Sequence, residues 1–195
     1  MSLRRSREEY VMTKSERRIR ESFLALLDEQ GFYSIRVSMI LERADVSRAT
    51  FYSIYEDKYQ LLQTLEDELL AGLEAIMVRI RTGGRNVLVC DEPTNPVFLE
   101  YFNYVKEHQK LWRLFMTGKG DSNFSDKLSH FFYDRISGTQ VQWEADPEIP
   151  ADHSAVLVSW AYVALFSYWI TTGMKDTPET MAHTLTVFWN RFMKW

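Results

Sequence analysis

A single cysteine, Cys90, in 195 residues leaves no internal disulfide and no thiolate-rich metal site within reach, which fits a reducing compartment. The amino terminus, MSLRRSREEY, lacks the apolar run of roughly 7–15 residues that a secretory signal carries, so a cytoplasmic location is expected. Long hydrophobic runs are also missing. The most apolar segment, residues 155–170 (AVLVSWAYVALFSYWI), falls short of the roughly 20 residues that span a bilayer, and it carries Ser159, Ser167 and two tyrosines. It reads as a buried helix, and no membrane partner is expected. No stretch alternates with period two for long enough to be a strand, apart from an ambiguous NVLVC at residues 86–90. The histidines His108, His130, His153 and His183 show no metal-ligand spacing. The acidic cluster Glu66, Asp67 and Glu68 reads as a solvated helix face, and neither a glycine-rich phosphate loop nor a Ser/His/Asp set is present. No metal, no cofactor and no enzymatic activity are therefore expected.

What is present is a well-filled interior: 46% hydrophobic and 14% aromatic residues. The net charge of -4 argues at first against a nucleic-acid partner, but the charge is unevenly placed. Residues 1–60 hold 11 basic against 10 acidic side chains, and the first twenty hold 7 against 3. Residues 61–195 hold 12 basic against 17 acidic. The distribution is compatible with a DNA-facing end on a body that repels DNA.

The periodicity is helical throughout. Thr13-Lys14-Ser15-Glu16 forms a capping box, followed by Ile19, Phe23, Leu26 and Leu27 on one stripe and by Gly31 as a stop. Val37, Ile40, Leu41 and Ala44 predict a second, short helix. Ser47 caps a third over Arg48 to about Tyr55, and Asp57 caps a long fourth from Lys58 to Gly83-Gly84. Beyond the proline-punctuated loop before Pro96, helices are predicted over 97–109, 110–117, 124–144, 151–173 and 179–194. The fold class is all-α with about nine helices. The organisation is a DNA-binding domain over 1–57 and a sensing and dimerisation domain over 58–195.

Two short helices joined by a tight turn make a helix-turn-helix unit, whose second helix must be slim enough for a major groove about 12 Å wide and polar on its outer side. Residues 47–55 meet that demand. Phe51 and Tyr55, with Ile54 at the border, face inward to Val37, Ile40 and the first helix. Arg48, Ala49, Tyr52 and Ser53 share the opposite side and are free to meet bases. Thr50 and Ser47 can reach flanking phosphates, and Lys58 adds a charge near the same strand.

The segment from Ile19 to Leu62, with GFYSIRVSMILERADVSRATFYSIYEDKYQLL at its heart, resembles the amino-terminal domain of the TetR family of transcriptional regulators. The glycine-aromatic after the first helix, the Ala-x-Val-Ser-Arg turn, the Thr-Phe-Tyr of the recognition helix and the Asp-Lys-x-x-Leu-Leu entry to the fourth helix carry the likeness. The resemblance implies DNA contacts at Thr50, Tyr52, Ser53 and Lys58, a base-reading role for Arg48 and a contact at Ser38, and Lys14 is counted with them. Three positions depart from the pattern. Ile54 stands where a phosphate-binding histidine is frequent, Asp45 replaces the usual glycine of the turn, and Arg36 replaces the usual threonine cap while offering a phosphate contact of its own. The carboxy-terminal part, through YFNYVKEHQKLWRLFMTG and SYWITTGMKDTPETMAHTL, is similar to the branch that includes dihydroxyacetone-kinase operon regulators, some of which answer to a protein partner.

Trp112, Phe115, Met116, Phe131, Phe132, Trp160, Phe166 and Trp169 are the candidates to line an effector pocket, although aromatic residues at helical spacing are also what any bundle core needs. A helix apolar all round, as residues 155–170 are, is either central or shared between two subunits. Paired with the last helix it points to a homodimer through Trp160, Ala164, Tyr168, Leu185, Phe188 and Trp189, as the resemblance also implies. The expected protein is a homodimeric regulator, usually a repressor, on a palindromic double-stranded operator, released by a small-molecule effector. The alternative is an activator controlled by a protein partner.

Overall fold

The computed structural model describes residues 12–82, 92–120, 123–137 and 149–192. Among them lie nine α-helices, one 3₁₀ turn and no strand: α1 (Lys14–Gln30), the turn Phe32–Ser34, α2 (Val37–Ala44), α3 (Arg48–Tyr52), α4 (Lys58–Thr82), α5 (Pro96–Glu107), α6 (Gln109–Met116), α7 (Phe124–Ser137), α8 (Ala151–Thr171) and α9 (Pro178–Phe192). The chain divides into two compact units, Met1–Gln63 and Thr64–Trp195, and α4 runs from the first into the second. The NVLVC segment, Cys90 and Gly83-Gly84 fall outside the described residues, as do positions 138–144 of the seventh predicted helix.

In the first unit the local signals act as written in the sequence. The Thr13 hydroxyl accepts the Glu16 amide at 3.1 Å, and α1 ends at Gly31, whose φ of 74° and ψ of 160° place it where a Cβ would be strained. The apolar stripe of α1, Ile19, Phe23, Leu26 and Leu27, is buried, and Phe32 meets Phe23 edge-on at 6.3 Å. α2 ends at Asp45, a non-glycine residue at φ 49°, and α1 packs on both α2 and α3. Its left-handed conformation is one that aspartate tolerates better than most residues.

The second unit pairs α5 with α9 and α7 with α8, while α6 packs on α7 and α8. Asn95 caps α5 by accepting the Val97 amide at 2.9 Å and donates its own amide to the Thr186 hydroxyl at 2.8 Å, fastening the start of α5 to α9. Two ion pairs join α4 to α7: Lys127 to Glu66 at 2.5 Å and Arg135 to Glu74. Glu66 is fully buried, so the acidic cluster expected to be solvated is so only at Asp67 and Glu68. A carboxylate is held inside only when such a partner compensates its lost hydration.

α8 spans 21 residues and is, by length and composition, apolar enough to cross a membrane; among the described residues it is the one helix that meets this test. Its geometry explains the all-round apolarity. One arc, including Ala155, Val158, Tyr162, Phe166 and Trp169, is buried in the bundle. The opposite arc, with Val156, Leu157, Trp160, Ala164 and Tyr168, faces outward.

Candidate nucleic-acid interface

The third helix is shorter than its sequence suggests, ending at Tyr52, after which the bonds Ile54 N–H to Phe51 O and Tyr55 N–H to Phe51 O wind the chain into a turn. Its start is capped by Ser47. The Ser47 hydroxyl accepts the Thr50 amide at 3.0 Å and lies 2.8 Å from the Thr50 hydroxyl. Ser53 donates its hydroxyl to the Thr50 carbonyl at 2.8 Å. The small polar residues of this helix therefore hold its shape with some of the same groups expected to meet DNA.

Two anchors fix the helix from beneath. Phe51 is fully buried, with its ring 5.9 Å from that of Tyr55. The Tyr55 hydroxyl accepts from Arg20 Nε at 2.8 Å and donates to Glu16 Oε1 at 3.2 Å, while Arg20 Nη2 donates to the same carboxylate oxygen at 2.7 Å. Glu16, with 2% of its surface exposed, is the buried charge of this set, and the network ties the end of α3 to α1. Burial pushes the Tyr55 phenol up to about 12, although Arg20 pulls the other way.

With those anchors in place, Arg48 and Ala49 are exposed and Tyr52 is 47% exposed, its ring braced edge-on at 5.4 Å against Phe51. Ser38, Ser47, Ser53, Arg36 and Lys14 are likewise exposed, whereas Thr50 and Ile54 are half-buried. Apart from Lys58, the described cations of this unit sort into two sets. Arg18 pairs with Asp45 at 2.9 Å, Arg20 with Glu16 at 2.7 Å and Arg43 with Glu29 at 2.6 Å. The side chains of Lys14, Arg17, Arg36 and Arg48 have no hydrogen bond or ion pair among the described residues. In the sequence Arg17 is marked only by its place one turn after Lys14, on the same exposed side of α1.

Lys58 differs from its sequence-based role. Its ammonium is half-buried, donates to the Phe32 carbonyl at 3.0 Å and the Ile35 carbonyl at 2.7 Å, and sits 4.6 Å from the centre of the Phe32 ring. Loss of hydration on burial lowers its pKa from the ordinary lysine value. Two of its three N–H groups are therefore engaged in closing the loop between α1 and α2, and a free phosphate-binding ammonium is not what the structure presents.

In the second unit the proposed pocket residues form a stacked core. Phe166 lies parallel to Phe132 at 5.9 Å and to Trp112 at 6.3 Å, and Phe124 lies 5.5 Å from Trp112 and 5.4 Å from Phe115. Trp169 packs edge-on to Phe102 at 5.3 Å, Phe131 lies under the Arg135 guanidinium at 3.5 Å, and Met116 is 9% exposed. Trp160 does not join them: it is 44% exposed on the outward arc of α8. Within this core the hydroxyls of Tyr101 and Tyr162 and the indole N–H of Trp112 are buried with no hydrogen-bond partner among the described residues. Burial raises both phenols far above the usual tyrosine range. Each such orphan costs about 1–3 kcal/mol.

The dimer candidates divide in the same way. Trp160, Ala164, Tyr168 and Phe188 are exposed, with Tyr168 at 61% and Phe188 at 39%. Leu185 and Trp189, at 2% and 1%, belong instead to the core of this unit, where Trp189 meets Phe98 at 6.5 Å and Tyr162 at 6.1 Å. A two-sided apolar helix reveals its apolar residues in sequence, but not which side its own chain covers.

Comparison with known proteins gives two family matches. Residues 19–65 match bacterial regulatory proteins of the tetR family, and residues 92–191 match a transcriptional regulator C-terminal region. The HTH-type transcriptional regulator YxbF of Bacillus subtilis is 34% identical over 59 residues, which make up 30% of this chain and only 16% of that protein. A putative TetR-family transcriptional regulator from Syntrophomonas wolfei superposes with a TM-score of 0.64 at 19% identity, covering 93% of this chain and 95% of that one. A TetR transcriptional regulator from Streptococcus agalactiae does so at 0.64 and 23%, covering 90% and 93%. The dihydroxyacetone kinase operon activator DhaS reaches 0.58 at 18%, covering 93% and 97%.

Proposed function

The chain belongs to the TetR family of bacterial regulatory proteins, and we propose that it works there as a homodimeric repressor, set on a palindromic operator and released by an effector held in the second unit. Membership makes it a DNA-binding regulator of transcription and not an enzyme. The observation that carries the DNA-reading half is the exposed edge of α3: Arg48, Ala49 and Tyr52 stand outward on a helix held from below by Phe51 and by the Tyr55–Glu16–Arg20 network. In this reading Arg48 and Tyr52 meet base edges, while Lys14, Arg36, Ser38 and the Ser47/Thr50 cap meet phosphates. Ser53 lies at the margin.

The dimer rests on the outward arc of α8 together with Phe188 of α9. Apolar side chains as large as Trp160, Leu157 and Tyr168, exposed along the length of one helix, are the surface that a second copy would cover in an isologous four-helix contact. Such a dimer would hold two recognition helices about one DNA turn apart, roughly 34–36 Å. Effector release needs a coupling of only about 1–3 kcal/mol. α4 is the element fit to carry it, since Leu62, Leu65 and Leu69 are all buried along it. The buried, unpartnered hydroxyls of Tyr101 and Tyr162 favour an effector that brings a polar atom into an aromatic surround. Work on bacterial DNA would call for a cytoplasmic location.

The second reading, an activator worked by a protein partner, draws on Val156 and Leu157, exposed near the start of α8 at 45% and 58%. Selection of bound duplexes from a random DNA pool tests the main reading. A palindrome with half-sites about one turn apart supports it, and failure to enrich any duplex at low salt sinks it. Sedimentation at micromolar concentration tests the dimer separately, a monomer being the adverse result.

A further inference from the structure

We infer that the second unit carries, besides its aromatic core, a surface-open site for a small amphiphilic organic anion, in the cleft between the first turn of α6 and the carboxy-terminal end of α8. The cleft has a volume of about 370 Å³ and is lined by Gln109, Lys110, Arg113, Ile170, Gly173 and Met174. That volume is at the small end of the roughly 300–1,000 Å³ of ordinary ligand sites. The site is separate from the stacked core: none of the eight aromatic and methionine residues discussed for an effector pocket lines it.

Its chemistry is two-sided. One wall offers an ammonium and a guanidinium one turn apart on α6, with the Gln109 amide beside them. Lys110 is exposed and has no hydrogen bond or ion pair among the described residues. Gln109 and Lys110 lie in the first turn of an eight-residue helix, the end whose dipole adds to the attraction of an anion, whereas Arg113 lies in its last turn. The other wall is formed by Ile170, Gly173 and Met174, of which Ile170 and Met174 are apolar residues and the methionine is polarizable.

The end of α8 shapes that second wall. Gly173 has φ 85° and Met174 has φ 52°, both left-handed. The Gly173 amide donates to the Ile170 carbonyl at 3.2 Å and the Met174 amide to the Trp169 carbonyl at 2.8 Å. This closing motif engages the Trp169 and Ile170 carbonyls near the end of α8, which reduces their repulsion of an anion. A Cβ built on Gly173 would meet nothing within 4 Å, so the backbone there borders open space. Cations on one side, an apolar wall on the other and capped carbonyls between them select a carboxylate or phosphate monoester with a short alkyl tail. An alcohol of the same length lacks the charge, and an amine has the wrong sign.

The test is isothermal titration calorimetry of the full chain with hexanoate, hexyl phosphate, hexanol and hexylamine. Wild type is compared with Lys110→Glu and with Arg36→Glu, which makes the same charge change in the other unit; far-UV circular dichroism melts establish that both variants fold. Hexanoate or hexyl phosphate is expected to bind once per chain and hexanol and hexylamine not at all. Lys110→Glu should weaken the anion about tenfold, as reversal of a unit charge about 5 Å away in a largely aqueous medium implies. Arg36→Glu should leave it within about twofold. Absence of binding by both anions at millimolar concentration, equal binding of hexanol, or an unchanged affinity in folded Lys110→Glu would each overturn the assignment.

Discussion

Replacing Lys58 by methionine removes a charge at the start of α4 while keeping most of the side-chain volume, and so separates two roles for one residue. In the structure the ammonium donates to the Phe32 and Ile35 carbonyls at 3.0 and 2.7 Å. The Phe32 carbonyl keeps a second donor, the Ile35 amide at 3.2 Å, so the Ile35 carbonyl bears most of the loss. A buried hydrogen bond to a charged group contributes about 1.5–3 kcal/mol. Lys58 is only half-buried and one carbonyl keeps a partner, so the whole change should cost about 1–2 kcal/mol, read as a lower midpoint in thermal unfolding. DNA affinity should fall for every sequence alike, because the loop leading to α2 loosens. The dependence of log K on log salt should keep its slope. Arg36→Met, by contrast, removes an exposed guanidinium without an internal partner and should make the slope shallower by about 0.9. A slope shallower by the same amount in Lys58→Met would refute the reasoning, because the ammonium would then be neutralising a phosphate.

Trp160→Glu places a charge on the outward arc of α8 and is expected to turn a dimer into a monomer in sedimentation, with the helical circular dichroism signal retained; a surviving dimer would remove this arc from the interface. Gly72→Leu drives a side chain into Tyr104, whose ring and hydroxyl occupy the space of a Cβ at residue 72 and whose hydroxyl donates to the Leu69 carbonyl at 3.2 Å, so thermal unfolding should show a loss of about 1–3 kcal/mol. Tyr55 ionises in the unfolded chain near its ordinary value but in the folded protein only at about 12. The folded state therefore binds more protons across that interval, and stability falls as pH rises through it. Tyr55→Phe should remove part of that fall in alkaline unfolding curves, and identical pH profiles for wild type and variant would contradict the assignment.

The parts of the fold written in local chemistry were readable from the sequence. The hydroxyl of Thr13 caps α1, Ser47 caps α3 and Gly31 ends α1, because each acts on backbone groups within four residues of itself. The inward face of α3 followed from Phe51 and Tyr55 sharing a side. What the sequence did not disclose was who meets whom at long range. Tyr55 reaches Glu16 across 39 positions and Lys58 reaches the Phe32 carbonyl across 26. No periodicity encodes those pairings, and so the sequence alone leaves Lys58 free for phosphate and Glu66 in water.

The sequence by itself determined the helical class, the helix-turn-helix with its outward residues Arg48, Ala49 and Tyr52, and the family, because caps, stripes and motif spacing are properties of short segments. Only the tertiary structure decided which half of α8 is core and which is surface, that Leu185 and Trp189 turn inward while Trp160 and Phe188 turn out, and that Lys110, Arg113, Ile170 and Met174 come together in one cleft. The physical reason is that a helical repeat specifies which side chains share a face, whereas burial, the partners of a charge and the walls of a cleft depend on which other face the chain packs against it.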